Sequence, residues 1–193
     1  MFFVKTKYRA SLDFDSTSFL RRGPAFFVKL HLSTMSQTVP QLIYRDVGVE
    51  GIDRVRPLWE KLNAHHADLS PRFGSTLRVR TFDARKQKLL AKADTDRLRV
   101  ELVSADSGGP GVAYCISTVS ADGIGEVDSI FVEERWRGQG VGTELMRRAL
   151  DWFESMRVNS KIVSVMNENK EALAFYRRFN FQPRTILLQE SHD

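Results

Sequence analysis

Only one cysteine, Cys115, occurs in 193 residues. No intrachain disulfide can form, and a reducing compartment, the cytoplasm, is expected. Within the apolar run Val112 to Ile116, Cys115 itself fits a small buried hydrophobe. No apolar run approaches the roughly 18 residues needed to span a bilayer, so no membrane partner is expected. A basic stripe interleaved with aromatics is also missing, which disfavours nucleic acid. The net charge of +5 is uneven. Residues 1–39 hold six Lys or Arg against two Asp, a net of +4, and the remainder holds 23 against 22, a net of +1. The body of the chain is therefore nearly neutral.

Residues 1–39 read as a poorly ordered basic extension, with Met35-Ser36-Gln37 resembling a translation start. A transit peptide is opposed by Asp13 and Asp15. A signal peptide is opposed by the short apolar core Ala25 to Val28 ahead of Lys29. Residues 40–193 read as one domain, with no internal repeat or low-complexity tract.

Periodicity predicts a strand over 41–47 and a helix over 50–62, with Ile52, Val55, Leu58 and Leu62 on one face. A loop or broken helix is expected over 63–80, where Ser70-Pro71 and Gly74 interrupt the pattern. A second helix is expected over 82–93 and strands over 98–104 and 112–118. Asp122-Gly123 signals a hairpin into a strand over 126–132. Further on come a helix over 140–157, a strand over 162–166, a helix over 169–179 and a last strand over 185–188. The fold class is α/β: a single-domain, mainly antiparallel mixed sheet flanked by helices, in the order β-α-α-β-β-β-α-β-α-β.

The sequence Arg137-Gly138-Gln139-Gly140-Val141-Gly142 lies between a strand and a helix. Inward-facing amides and a helix N-terminus make such a turn an anion cradle. The glycine spacing does not fit a dinucleotide fingerprint, because Thr143 stands where the third glycine is needed. No Gly-Lys-Ser or Gly-Lys-Thr ends the loop, so an ATP-type phosphate loop is excluded as well. Side chains larger than hydrogen at 140 and 142 are expected to push the backbone away from a bound phosphate.

Arg137-x-x-Gly140-x-Gly142 resembles the acetyl-CoA signature of the GNAT superfamily of N-acetyltransferases. The preceding strand ending Ile130-Phe131-Val132 looks like that family's fourth strand. A second block, Asn169 to Phe181, is similar to the family's Asn-x-x-Ala-x-x-Phe-Tyr-x-x-x-Gly-Phe. Asn180 takes the place of its glycine, a position that wants a left-handed backbone, which Asn tolerates.

The resemblance implies transfer of the acetyl group of acetyl-CoA, as co-substrate and without a metal, to a primary amine of a small molecule or protein. It assigns the pyrophosphate to Arg137, Gly138, Gln139, Gly140, Val141, Gly142 and Thr143, and pantetheine to the backbone of Ile130, Phe131 and Val132. Asn169 and Tyr176 also reach the cofactor. Glu126 is the implied base, with Asp128 on the same face, and Tyr176 is the implied acid. His65, His66, Asp68, Arg72 and Phe73 lie in the segment that lines the family's acceptor site. Adjacent histidines diverge on a helix, so a metal pair is not expected. The family's frequent dimers imply a homodimer. A non-catalytic acyl-CoA sensor or scaffold is the alternative, although it needs neither Glu126 nor Tyr176.

Overall fold

The computed structural model describes residues 41–190, so the extension read over residues 1–39 falls outside them. Five strands form one sheet in sequence order: β1 (Ile43–Asp46), β2 (Arg97–Ser104), β3 (Gly111–Val119), β4 (Ile124–Val132) and β5 (Ser160–Val163). The first three pairings are antiparallel, and β4 with β5 is parallel. Gly123 turns the β3–β4 hairpin at φ +80°, a left-handed value that glycine adopts without a Cβ penalty.

Helices cover both faces. A 3-10 turn (Ile52–Val55) leads into α1 (Arg56–Leu69), followed by α2 (Gly74–Arg78) and α3 (Phe82–Ala93). Ile52, Leu58, Phe82 and Leu89 pack against Val100, Tyr114 and Ile116 on one face of the sheet. On the other face, Leu145, Met146 and Phe153 of α4 (Val141–Ser155) meet Val103, Ala113 and Cys115. Tyr176 of α5 (Lys170–Arg177) belongs to the same cluster. Burial in this second cluster pushes the Cys115 thiol up to about 12.

One carboxylate is buried with the apolar side chains. Glu101 is 2% exposed and accepts a hydrogen bond from Arg148 Nη1 at 3.0 Å. Burial raises its pKa, and Arg99 and Arg148 oppose the rise. Arg148 also lies 4.7 Å over the Tyr44 ring, so one α4 side chain ties β1 and β2 to the helix.

One expectation is borne out and one is corrected. The break expected within 63–80 is present between α2, which starts at Gly74, and α1, which continues to Leu69. The stop of α1 is Ser70, extended at φ −108° and ψ 100°, as the residue before Pro71 tends to be. The segment 185–188 is not a strand: residues 181–190 hold no regular structure, and Ile186, Leu187 and Leu188 are exposed. Apolar β-formers make a strand only where an edge accepts their backbone bonds, and none does so here among the described residues.

Leu145 is fully buried at the centre of the second cluster. Leu145→Ala is expected to cost about 2–5 kcal/mol, read from urea unfolding.

Candidate active site

The register between β3 and β4 shifts at one point: Ile116 pairs with Ser129 and Ser117 with Val127, which leaves Asp128 as a bulge. Pairing between β4 and β5 covers only Ile124–Val127. Beyond Val127, β4 keeps β3 but has no strand on its other edge among the described residues. Ser164, Val165 and Met166, which follow β5, diverge instead and become part of a wall. The gap is a cleft of about 570 Å³, lined by Val127 to Val132, the glycine turn, Ser164 to Met166 and the inner side of α5.

The turn's shape follows from its glycines. Gly138 at φ +72° and Gly140 at φ +83° are both left-handed, and Gly140 is the N-cap of α4 with no side-chain cap. The first helical hydrogen bond runs from Glu144 N–H to the Gly140 carbonyl at 2.9 Å. The N–H groups of Val141, Gly142 and Thr143 therefore precede the helical ladder, and all three residues line the cleft. Added to the helix dipole, they favour an anion. A Cβ on Gly140 meets open space, so its requirement is the left-handed backbone, and one on Gly142 makes ordinary contacts of 3.5 Å to Phe175 and 3.6 Å to Val132.

Arg137 holds the loop to the strand: its Nε donates to the Val132 carbonyl at 3.0 Å, and its guanidinium lies 5.7 Å over Phe131. Gln139 turns away to donate to the Arg135 carbonyl at 2.8 Å and does not line the cleft. Asn169 Oδ1 accepts from Ala172 N–H at 2.9 Å and caps α5. That fixes the helix which presents Tyr176. Asn180 adopts φ +64°, as its place in the motif requires. The reversal brings Phe181 edge-on to Tyr176 at 6.1 Å. Tyr176 is 6% exposed, and burial, with smaller contributions from Cys115 and Tyr114, raises its pKa.

The two acidic candidates separate. Glu126 is outside the cleft lining, and its Oε2 is 2.5 Å from Lys92 Nζ. Asp128 does line the cleft, at the bulge, where it pairs with Arg85 and lies 3.4 Å from Lys92 Nζ. The acceptor-segment residues separate too. His65 and His66 sit on α1 and line the cleft, while Asp68 pairs with Arg78 at 2.5 Å, and Arg72 and Phe73 lie in the turn beyond. His66 is half-buried, and desolvation, then His65 and Arg80, lower its pKa. Trp136 and Arg178 also line the cleft and were not singled out from sequence. Trp136 could have been, since it ends the short turn that delivers Arg137.

A family model described as the Acetyltransferase (GNAT) family matches residues 64–181. The chain belongs to the GNAT acetyltransferase family. The uncharacterized N-acetyltransferase MJ1207 of Methanocaldococcus jannaschii is 30% identical over 102 residues, 52% of this chain and 45% of that protein. The chain thus matches about half the length of that relative. Among solved structures, the BH1408 protein of Bacillus halodurans superposes with a TM-score of 0.60 at 16% identity, covering 77% of this chain and 98% of the other. AAC(6')-Iy in complex with a CoA-linked bisubstrate analogue gives 0.56 at 15% identity, covering 78% and 98%. At these identities the structures establish the fold.

The two glycines of the loop predict different substitution costs. Gly140→Ala forces a Cβ into the left-handed region and is expected to cost about 1–2 kcal/mol in urea unfolding. Gly142→Ala, on the first helical turn, is expected to stay within about 0.5 kcal/mol of the parent.

Proposed function

We propose that this protein moves the acetyl group of acetyl-CoA to a primary amine of a small molecule or protein, by direct attack on the thioester. The observation that carries the reading is the uncapped N-terminus of α4, set by left-handed Gly138 and Gly140 at the mouth of the cleft where β4 and β5 part. A pyrophosphate suits those amides, and the unpaired edge of Ile130 to Val132 suits the amides of a pantetheine arm. The similarly folded AAC(6')-Iy is in complex with a CoA-linked bisubstrate analogue, which supports CoA as the ligand. CoA supplies the activated thioester and a thiolate leaving group, and the chain supplies position, charge and proton handling. The lone cysteine supports a cytoplasmic setting. Among the described residues, no helix is long and apolar enough to cross a membrane.

The attacking amine must be neutral, which at pH 7 describes about one alkylamine in a thousand. Its nitrogen forms the new bond to the acetyl carbon, the C–S bond breaks, and a proton must leave the nitrogen while the sulfur gains hydrogen-bond support. Tyr176 is the donor to sulfur. Its raised pKa makes complete proton transfer uphill, so its contribution is chiefly a hydrogen bond that strengthens as charge grows on sulfur.

For the proton acceptor, Glu126 acts only if Lys92 releases its carboxylate and a water bridges to the cleft. His66 needs no such release. It lines the cleft, and its depressed pKa keeps the imidazole neutral at pH 7. The geometry favours His66 over the carboxylate.

Thiol release from acetyl-CoA across a broad amine panel tests the function. Tyr176→Phe is expected to lower kcat by roughly a hundredfold while acetyl-CoA binding persists. Tight acetyl-CoA binding with no thiol release for any amine would point instead to a sensor or scaffold.

The base is read from the acidic limb of kcat/KM. A neutral His66 is needed, so activity is expected to fall as pH drops through a value below the usual 6.5. His66→Gln should abolish that limb. Its persistence in His66→Gln, together with its loss in Glu126→Gln, would return the role to the carboxylate.

A further inference from the structure

A second cleft, of about 410 Å³, opens beside the first and shares Leu62, His66, Asp128 and Ser129 with it. Its outer wall comes from α3 and the linker that precedes it. That wall brings Arg80, Arg85 and Lys88 against one carboxylate, Asp128. Arg85, Lys88 and Lys92 recur along α3 at spacings of three and four, which stacks them on one side of the helix.

Two of these α3 charges are already used. Arg85 pairs with Asp128, and Lys92 bridges Glu126 and Asp128. Lys88 and Arg80 are exposed, and neither has a carboxylate partner among the described residues. Two uncompensated cations therefore stand at the outer end of this cleft, while its inner end opens where the thioester would lie.

We propose that the second cleft is the acceptor subsite and that it selects an amine whose molecule also carries an oxyanion, a carboxylate or a phosphate, held by Arg80 and Lys88. The inference rests on the acetyl-transfer reading and gives it a substrate class. The anion anchors at the outer end and the amine reaches inward past His66 and Asp128 to the acetyl carbon. An acceptor bearing only amines meets the same two cations as repulsion, so polycations such as aminoglycosides are poor candidates. Guanidinium and ammonium groups match either oxyanion.

The test uses the full chain and amines whose lengths agree to within one atom. 5-Aminopentanoate and 4-aminobutyl phosphate are compared with 5-aminopentanamide and 1,5-diaminopentane. Thiol release gives KM, and calorimetry on the CoA-loaded protein gives affinity without turnover. Either anionic member is expected to show KM and Kd about tenfold below the amide, with the diamine weakest. Whether the carboxylate or the phosphate leads identifies the oxyanion. The Arg80→Gln, Lys88→Gln double variant is expected to lose that preference. Lys86→Gln, whose charge pairs with Asp53 outside the cleft, should keep it.

Equal or better use of the amide or diamine would overturn the inference while acetyl transfer stood. An anionic preference that survived the double variant would also overturn it. An anionic preference in calorimetry without thiol release would support the subsite and count against the transfer reading. No binding and no turnover for any member would sink both.

Discussion

The site depends on where one pair of parallel strands stops pairing. β4 stays bonded to β3 along its whole length, yet it has β5 for company only through Val127. The bulge at Asp128 falls at the same place and inserts a residue that the ladder cannot match. Bulges bend a strand and increase its local twist. Had β5 followed β4 to its end, Ile130 to Val132 would lie inside a continuous sheet and the edge that suits an amide-rich arm would be spent. The two apolar clusters hold the halves in place, one under α1 and α3 and the other under α4 and α5.

The bulge is also an electrostatic junction. Asp128, at the bulge, lies within reach of the same cations as Glu126: Lys92 reaches both and Arg85 holds Asp128. Leaving two carboxylates this close without cations would set like charges against each other and loosen the strand end. The same α3 cations occupy both carboxylates. His66, half-buried in the same cleft, takes no part in these ion pairs.

Elements with a strong local signal were legible in the sequence. The apolar recurrence through Leu145, Ala149 and Phe153 marks α4, and Phe82–Ala93 forms α3 over the predicted range. The Asp122-Gly123 turn and the left-handed demand at Asn180 were readable because each rests on the backbone of one residue. What depended on distant partners was not. The extension of α1 past Leu62 placed two histidines on a helix, and the exposed Ile186 to Leu188 shows strand-like composition without a strand to join. Glu126 matched a motif position, but its capture by Lys92, 34 residues earlier, is a tertiary fact that no spacing within the motif encodes.

The buried thiol has a practical corollary. Cys115 is the sole sulfhydryl of the chain, it is 2% exposed, and burial keeps it protonated far above neutral pH. Aromatic disulfide reagents need a thiolate they can reach, so the folded protein is nearly silent towards them. Colour that develops during a reaction then reports only a thiol that the reaction itself releases. Colour that develops in its absence counts the molecules whose central strand has come open, which makes this one side chain a built-in clock for unfolding.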